Sequence, residues 1–131
     1  MISAYSLEHI STLIFCILTG IVIFFHAGLA AGFPWGAAAM GGKFPGKWPP
    51  KMRMLAVFNM LLLGCFIPLV LSRAGLLFSQ LYSIAYPGIW FLVVFFALGT
   101  VMNSITPSKI ERIWAPVAFF QFLTTLLIAL T

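Results

Sequence analysis

Asn103-Ser104-Ile105-Thr106-Pro107-Ser108-Lys109-Ile110-Glu111-Arg112-Ile113-Trp114-Ala115-Pro116 is the one densely polar segment in the second half of an apolar chain. Its reading decides how many helices the chain has. Pro107 stops a helix arriving from the N-terminal side, because its ring biases the preceding residue towards extended backbone. Ser108-Lys109-Ile110-Glu111 matches the S-x-x-E capping box. There the serine side chain accepts from the glutamate backbone N–H, and the glutamate reaches back to the serine N–H. Thr106, with Pro107 as the first helical residue, is an alternative start. Either way one helix ends and another begins, and Glu111 suits the positive end of the new one.

On both sides of this segment lie apolar runs: residues 10–33, 54–72 and 82–102 before it, and 113–130 after it. A helix needs about 20 apolar residues to cross a bilayer. Backbone groups in hydrocarbon must be bonded internally, which runs of this length achieve as helices. The composition agrees. Of 131 residues, 63% are hydrophobic and only 7% charged, and the mean hydropathy is +1.13. A soluble domain carries roughly 25% charged residues. The expected fold is all-α, an integral membrane four-helix bundle, with residues 1–131 as a single transmembrane domain behind a short polar lead at residues 1–8. No cleavable signal peptide is evident: the N-terminus has no basic region, and the first run is long and followed by others.

The formal net charge of +5 comes from scarce acids, not abundant bases. It argues against nucleic acid as a partner and for topology signals and anionic lipid head groups. Lys43, Lys47, Lys51 and Arg53 fall in the first connection, Arg73 in the second, Lys109 and Arg112 in the third. The positive-inside rule then puts the first and third connections on the cytoplasmic side and both termini outside. The first connection, residues 34–53, has four prolines and the turn pairs Gly41-Gly42 and Pro45-Gly46, which exclude a long helix. Trp35 and Trp48 suit the head-group layer, so this loop is expected to lie along the membrane surface. Its glycines match no phosphate-binding fingerprint.

Isolated polar residues inside the runs are the candidate site. Thr12, Cys16, Thr19, Ile23, His26 and Ala30 share one seam of the first helix. Gly28 and Gly32 form a G-x-x-x-G, which lets another backbone approach closely, inside the bundle or in a homo-oligomer. A buried His26 ring needs a partner, and a structural hydrogen bond explains it as well as a ligand does. Asn59 and Pro68 lie in the second helix, and Pro68 removes a hydrogen bond to the Gly64 carbonyl. Gln121, Thr124 and Thr125 give the fourth helix a polar edge. His26, Arg53, Asn59, Asn103, Glu111 and Arg112 converge at the cytoplasmic mouth if the helices are rotated suitably. There guanidinium groups match phosphate or carboxylate. Glu111 and Arg112 also have complete structural readings, as a cap and as a boundary anchor. With His9 the only other histidine, no metal set is expected, and no cofactor. Cys16 and Cys65 form no C-x-x-C pair and read as packing residues.

The segments at residues 26–32, Arg73-Ala74-Gly75, Gly88-Ile89-Trp90 and above all the N-x3-P-S-x2-E-R-x-W-x-P pattern of Asn103 to Pro116 resemble a group of small bacterial four-span membrane proteins with no assigned function. The resemblance covers residues 24–130 and implies a bacterial inner-membrane protein. It implies no activity. Three function classes follow from the residues. The first is binding or transport of a small hydrophobic or anionic, lipid-like molecule at the cytoplasmic side. The second is an accessory subunit of a larger membrane complex. The third is a membrane-embedded enzyme acting on a lipid or isoprenoid with His26 and Glu111 as acid and base. The chain has no Asp, no paired carboxylates and no Ser-His spacing, which weighs against the third.

Overall fold

Ser3 starts the first helix earlier than the apolar pattern implies. Its hydroxyl accepts from the Ser6 backbone N–H at 3.1 Å, which satisfies one of the unpaired N–H groups of a helix start. The polar lead is therefore helical from Ala4. The computed structural model describes residues 3–131 and contains four long helices, with no strand among the described residues. They are α1 (Ala4–Ala31), α2 (Pro50–Arg73), α3 (Tyr82–Ile105) and α4 (Trp114–Leu130).

The boundaries follow local chemistry. α1 ends at Gly32, whose φ of 95° is left-handed and whose N–H returns to the Gly28 and Leu29 carbonyls; glycine takes that conformation without a Cβ penalty. α2 begins at Pro50, where the missing N–H would have had no partner inside the helix. This is four residues before the apolar run and puts Lys51 and Arg53 on the first turn of the helix. Pro68 and Pro87 lie inside α2 and α3; the second of these escaped the sequence reading.

The helices pack in a ring, each against its sequence neighbours, with α4 closing onto α1. One core joins all four: Phe15 from α1, Leu63, Phe66 and Val70 from α2, Ile89, Leu92 and Phe96 from α3, and Ile128 from α4. Phe66 lies edge-on to Phe95 and Phe96, with ring centroids 5.1 and 6.0 Å away. The exterior is apolar too. Leu13, Ile17, Phe24, Leu61, Phe91 and Leu98 are all exposed. All four helices are long and apolar enough to cross a membrane.

The two ends of the ring differ. At one end, the last residue of α2 meets the second turn of α1 and the end of α4. Arg73, only 7% exposed, lies 3.8 Å from Glu8 of α1 and donates to the Ala129 carbonyl of α4 at 3.3 Å. Its guanidinium also sits 4.9 Å from the Tyr86 ring centroid of α3, within cation–π range. One arginine thus ties its own helix to the other three. At the opposite end the first and third connections meet and build the site described next.

Candidate functional site

The first connection folds back over the helix ends. Three hydrogen bonds from the third connection and the start of α4 hold it there. Ser108 Oγ donates to the Ala37 carbonyl at 2.5 Å, Trp114 Nε1 donates to the Ala38 carbonyl at 3.1 Å, and Glu111 Oε1 accepts from the Gly41 N–H at 3.1 Å. The backbone is shaped for the last of these. Met40, Gly41 and Gly42 have φ of 52°, 67° and 73°. This left-handed turn commits the Gly42 and Lys43 N–H groups to the Ala39 and Met40 carbonyls and leaves the Gly41 N–H to point out of the loop towards an anion. Here the anion is the Glu111 carboxylate.

Glu111 also accepts from the Thr106 hydroxyl. The capping box is therefore half formed. Ser108 Oγ accepts from the Glu111 N–H at 3.2 Å, as its spacing predicts. The carboxylate, however, does not return to the Ser108 N–H, which donates to Thr106 Oγ1 instead. The lid needs the charge more than the cap does. A 3-10 turn at Glu111–Ile113 leads from here into α4 at Trp114.

Aromatic packing completes the closure. Trp35 fills a notch over Gly28, where an added Cβ would lie 2.0 Å from the indole. Its ring stacks on Phe25 with centroids 6.1 Å apart and planes 7° apart. Phe25 in turn meets Trp114 at 4.7 Å. The G-x-x-x-G of α1 thus receives a side chain of its own loop, not another helix. Trp48 is the larger surprise. Read from sequence as a head-group anchor, it is 2% exposed and packs with Leu29, Ala38 and Ala56. The fold turns it inward because the loop doubles back: the Gly36 N–H donates to the Gly46 carbonyl at 2.9 Å.

Beneath this lid lies a half-open cavity of about 280 Å³. The lid contributes Ala38, Ala39, Met40 and Trp48 to its lining. Its walls are mostly apolar, from Val22 and Phe25 of α1, Leu62 and Leu63 of α2, Phe95 and Phe96 of α3, and Val117 and Ala118 of α4. Among them stand five polar side chains: His26, Asn59, Asn103, Glu111 and Gln121. Four of the six residues singled out in the sequence are thus brought around one space.

The other two are not. Arg53 Nε donates to the Ala30 carbonyl at 2.9 Å, closing the C-terminal end of α1, where cations are favoured. Arg112 is exposed and its Nε donates to the Thr106 carbonyl at 3.0 Å. Neither guanidinium lines the cavity, so the expected cationic mouth is absent from its wall. Gln121 was legible only as a polar edge. The fold gives it a second role: its Nε2 donates to Thr19 Oγ1 at 3.0 Å, crossing from α4 to α1, and it lines the cavity floor.

The hydrogen bonds of the polar residues show what is left for a ligand. His26 Nδ1 lies 2.9 Å from the Val22 carbonyl. A carbonyl only accepts, so Nδ1 carries the proton, and Nε2 of the neutral ring is left as an acceptor. Asn103 Nδ2 donates to the Gly99 carbonyl at 2.7 Å, which leaves Oδ1 and the second Nδ2 hydrogen available, and the buried Trp48 Nε1–H in the same lining has no hydrogen-bond partner among the described residues. The Asn59 side chain makes no hydrogen bond among the described residues. Among those residues, too, no three His, Cys, Asp or Glu gather as a metal set.

Comparison with protein-family models, with curated proteins and with solved structures found no match to this chain.

Proposed function

We propose that this chain is a multi-pass membrane protein that binds a small apolar molecule, for storage or transfer, in the cavity beneath its lid. The carrying observation is the lining itself: apolar walls with a few polar groups whose hydrogen-bonding capacity is not used up inside the protein. That is the usual character of a small-molecule pocket. Its volume of about 280 Å³ falls just below the roughly 300–1,000 Å³ such pockets span. It suits a head group and the start of a chain, not a whole phospholipid.

Four apolar helices with an apolar exterior support the membrane setting. Charge supports an orientation. Every lysine and arginine except Arg73 belongs to the lid end, and Arg73 is matched by Glu8. The net charge of +5 is therefore the charge of one face. By the positive-inside rule that face is cytoplasmic, with both termini outside. The resemblance of residues 24–130 to small bacterial four-span proteins makes the bacterial inner membrane the natural location. The four helices are then one transmembrane domain.

Binding is favoured over catalysis because Glu111 is engaged by Gly41 and Thr106 and holds the lid. A general base needs a carboxylate open to its substrate. The lining favours a ligand that is not an anion, since neither Arg53 nor Arg112 lines the cavity and its wall carries the Glu111 carboxylate.

The test is intact mass measurement of the protein gently extracted from its membrane. A small-molecule adduct is expected on the wild type. It should be lost in Gly99→Leu, where a Cβ meets only the Ala118 Cβ at 3.8 Å, so the larger side chain fills the cavity without disturbing the helices. An adduct retained by Gly99→Leu would place the binding elsewhere and defeat the proposal.

A further inference from the structure

Two spaces lie side by side at the lid end. The first is the cavity. The second is an apolar groove of about 440 Å³ on the outside of the bundle, between α1 and the start of α4. Ile21 and Phe24 of α1 and Ile110 and Ile113 ahead of α4 line it, and all four are exposed. Among the described residues, none that lines it is charged. Phe25, Ala38 and Trp114 line the groove and the cavity alike. These three touch one another. The Phe25 and Trp114 ring centroids are 4.7 Å apart, Trp114 Nε1 donates to the Ala38 carbonyl, and Phe25 and Ala38 share one core cluster. The cavity and the groove are therefore divided by a wall one side chain thick.

The parts of this wall are not equally fixed. Trp114 is pinned by its hydrogen bond, and Ala38 belongs to the lid. The Phe25 ring has no hydrogen-bonding group. It is held only by contact with the rings of Trp35, Trp114 and His26. Turning it aside gives up ring contacts alone. Lifting the lid breaks three hydrogen bonds, one of them to the Glu111 carboxylate, and such charge-assisted bonds are about twice as strong as neutral ones. The side route is thus the easier one. It also faces the apolar exterior, where an apolar molecule is concentrated by its exclusion from water.

We infer that the groove is the membrane-facing half of the binding site: an uncharged apolar molecule dissolved in the bilayer docks there first, and passes into the cavity when the Phe25 ring turns aside. Phe25 is the gate, and the lid stays shut. This rests on the cavity being a binding site, as proposed above.

The experiment follows the tryptophan emission of the full-length protein in phosphatidylcholine vesicles after rapid mixing with 1-bromodecane, an uncharged quencher that partitions into lipid. Trp90, exposed on the exterior, gives an immediate phase that does not saturate. Trp48, buried and lining the cavity but not the groove, gives a slower, saturable phase. Ile113→Cys, in a chain with Cys16→Ala and Cys65→Ala, takes a bulky apolar maleimide into the groove. The label should slow the saturable phase by at least about tenfold relative to the same chain unlabelled. Phe25→Leu should speed loading and release together by about tenfold, a barrier lower by about 1.4 kcal/mol. Its half-saturating concentration should change far less than its rates, which a merely structural role for Phe25 would not produce. Ser108→Ala removes one lid bond and lines neither space, so it should leave loading unchanged. Loading that survives the Ile113 label, or loading sped by Ser108→Ala, would overturn the side route and leave the binding site standing. Absence of a saturable phase in the wild type and in Phe25→Leu alike would instead overturn the binding site itself.

Discussion

Removing the Glu111 carboxylate should open the lid without unfolding the helices. Oε1 accepts from the Gly41 N–H at 3.1 Å and from the Thr106 hydroxyl. A hydrogen bond to a charged group contributes about 1.5–3 kcal/mol net. Glu111 is only partly buried, so each bond belongs at the lower end, and Glu111→Ala should cost about 3 kcal/mol in total. That corresponds to about a hundredfold rise in the open population of the lid. The bonds from Ser108 and Trp114 remain, so the lid loosens and does not detach. Glu111→Gln keeps the accepting oxygen and loses only the charge. Neutral bonds are worth about 1 kcal/mol each, so the glutamine variant should open less than tenfold. Amide hydrogen exchange over residues 36–48 reads this local opening directly, with residues 62–70 of α2 as the internal reference. Equal exchange in wild type and Glu111→Ala would refute the latch. So would a glutamine variant as open as the alanine variant, because it would show that neither bond depends on the retained oxygen.

Three other outcomes follow from the same structure. Gly28→Leu should expel Trp35 from its notch and cost about 1–3 kcal/mol of overpacking, seen as a lowered unfolding midpoint in detergent. A variant that changed only self-association would instead put Gly28 between copies of the chain. Arg73→Met should destabilise by about 1–3 kcal/mol because it leaves the partly buried Glu8 carboxylate without its partner, and Arg73→Met with Glu8→Gln should recover part of that loss in denaturant titrations. Purely additive effects would mean that the pair does not interact. Ser3→Ala should fray the first turn of α1 at a cost of about 1 kcal/mol, visible as faster exchange at residues 4–8 with the lid unaffected.

Much of the fold was legible because lipid-spanning helices announce themselves by length and composition. Boundaries were less so. The start of α1 depends on a single serine hydroxyl ahead of the apolar pattern, and α2 starts on Pro50, in a stretch that reads as loop. The site was legible where a lone polar residue interrupts an apolar run: His26, Asn59 and Asn103 stand out in one dimension and meet in three. Arg53 and Arg112 stand out equally, but a long guanidinium side chain takes the nearest free carbonyl, and which one is nearest depends on how helix ends pack. Glu111 has the right spacing for a cap, and the tertiary fold offers it a stronger partner at Gly41. Trp48 was misplaced for a similar reason. A tryptophan in a proline-rich loop suits the membrane interface until that loop folds back, and the fold-back is set by the Gly28 notch and by contacts about seventy residues away in sequence. The Arg73 clasp was hidden because Glu8 looks like part of a solvated tail until α1 is seen to begin before it.

The most direct test of the central claim is an experimental density map of the protein purified with its native lipids. The account predicts density for a bound small molecule in the cavity beneath the lid, beside His26, Asn59 and Asn103. A cavity holding only ordered water, or closed by side chains, would contradict it.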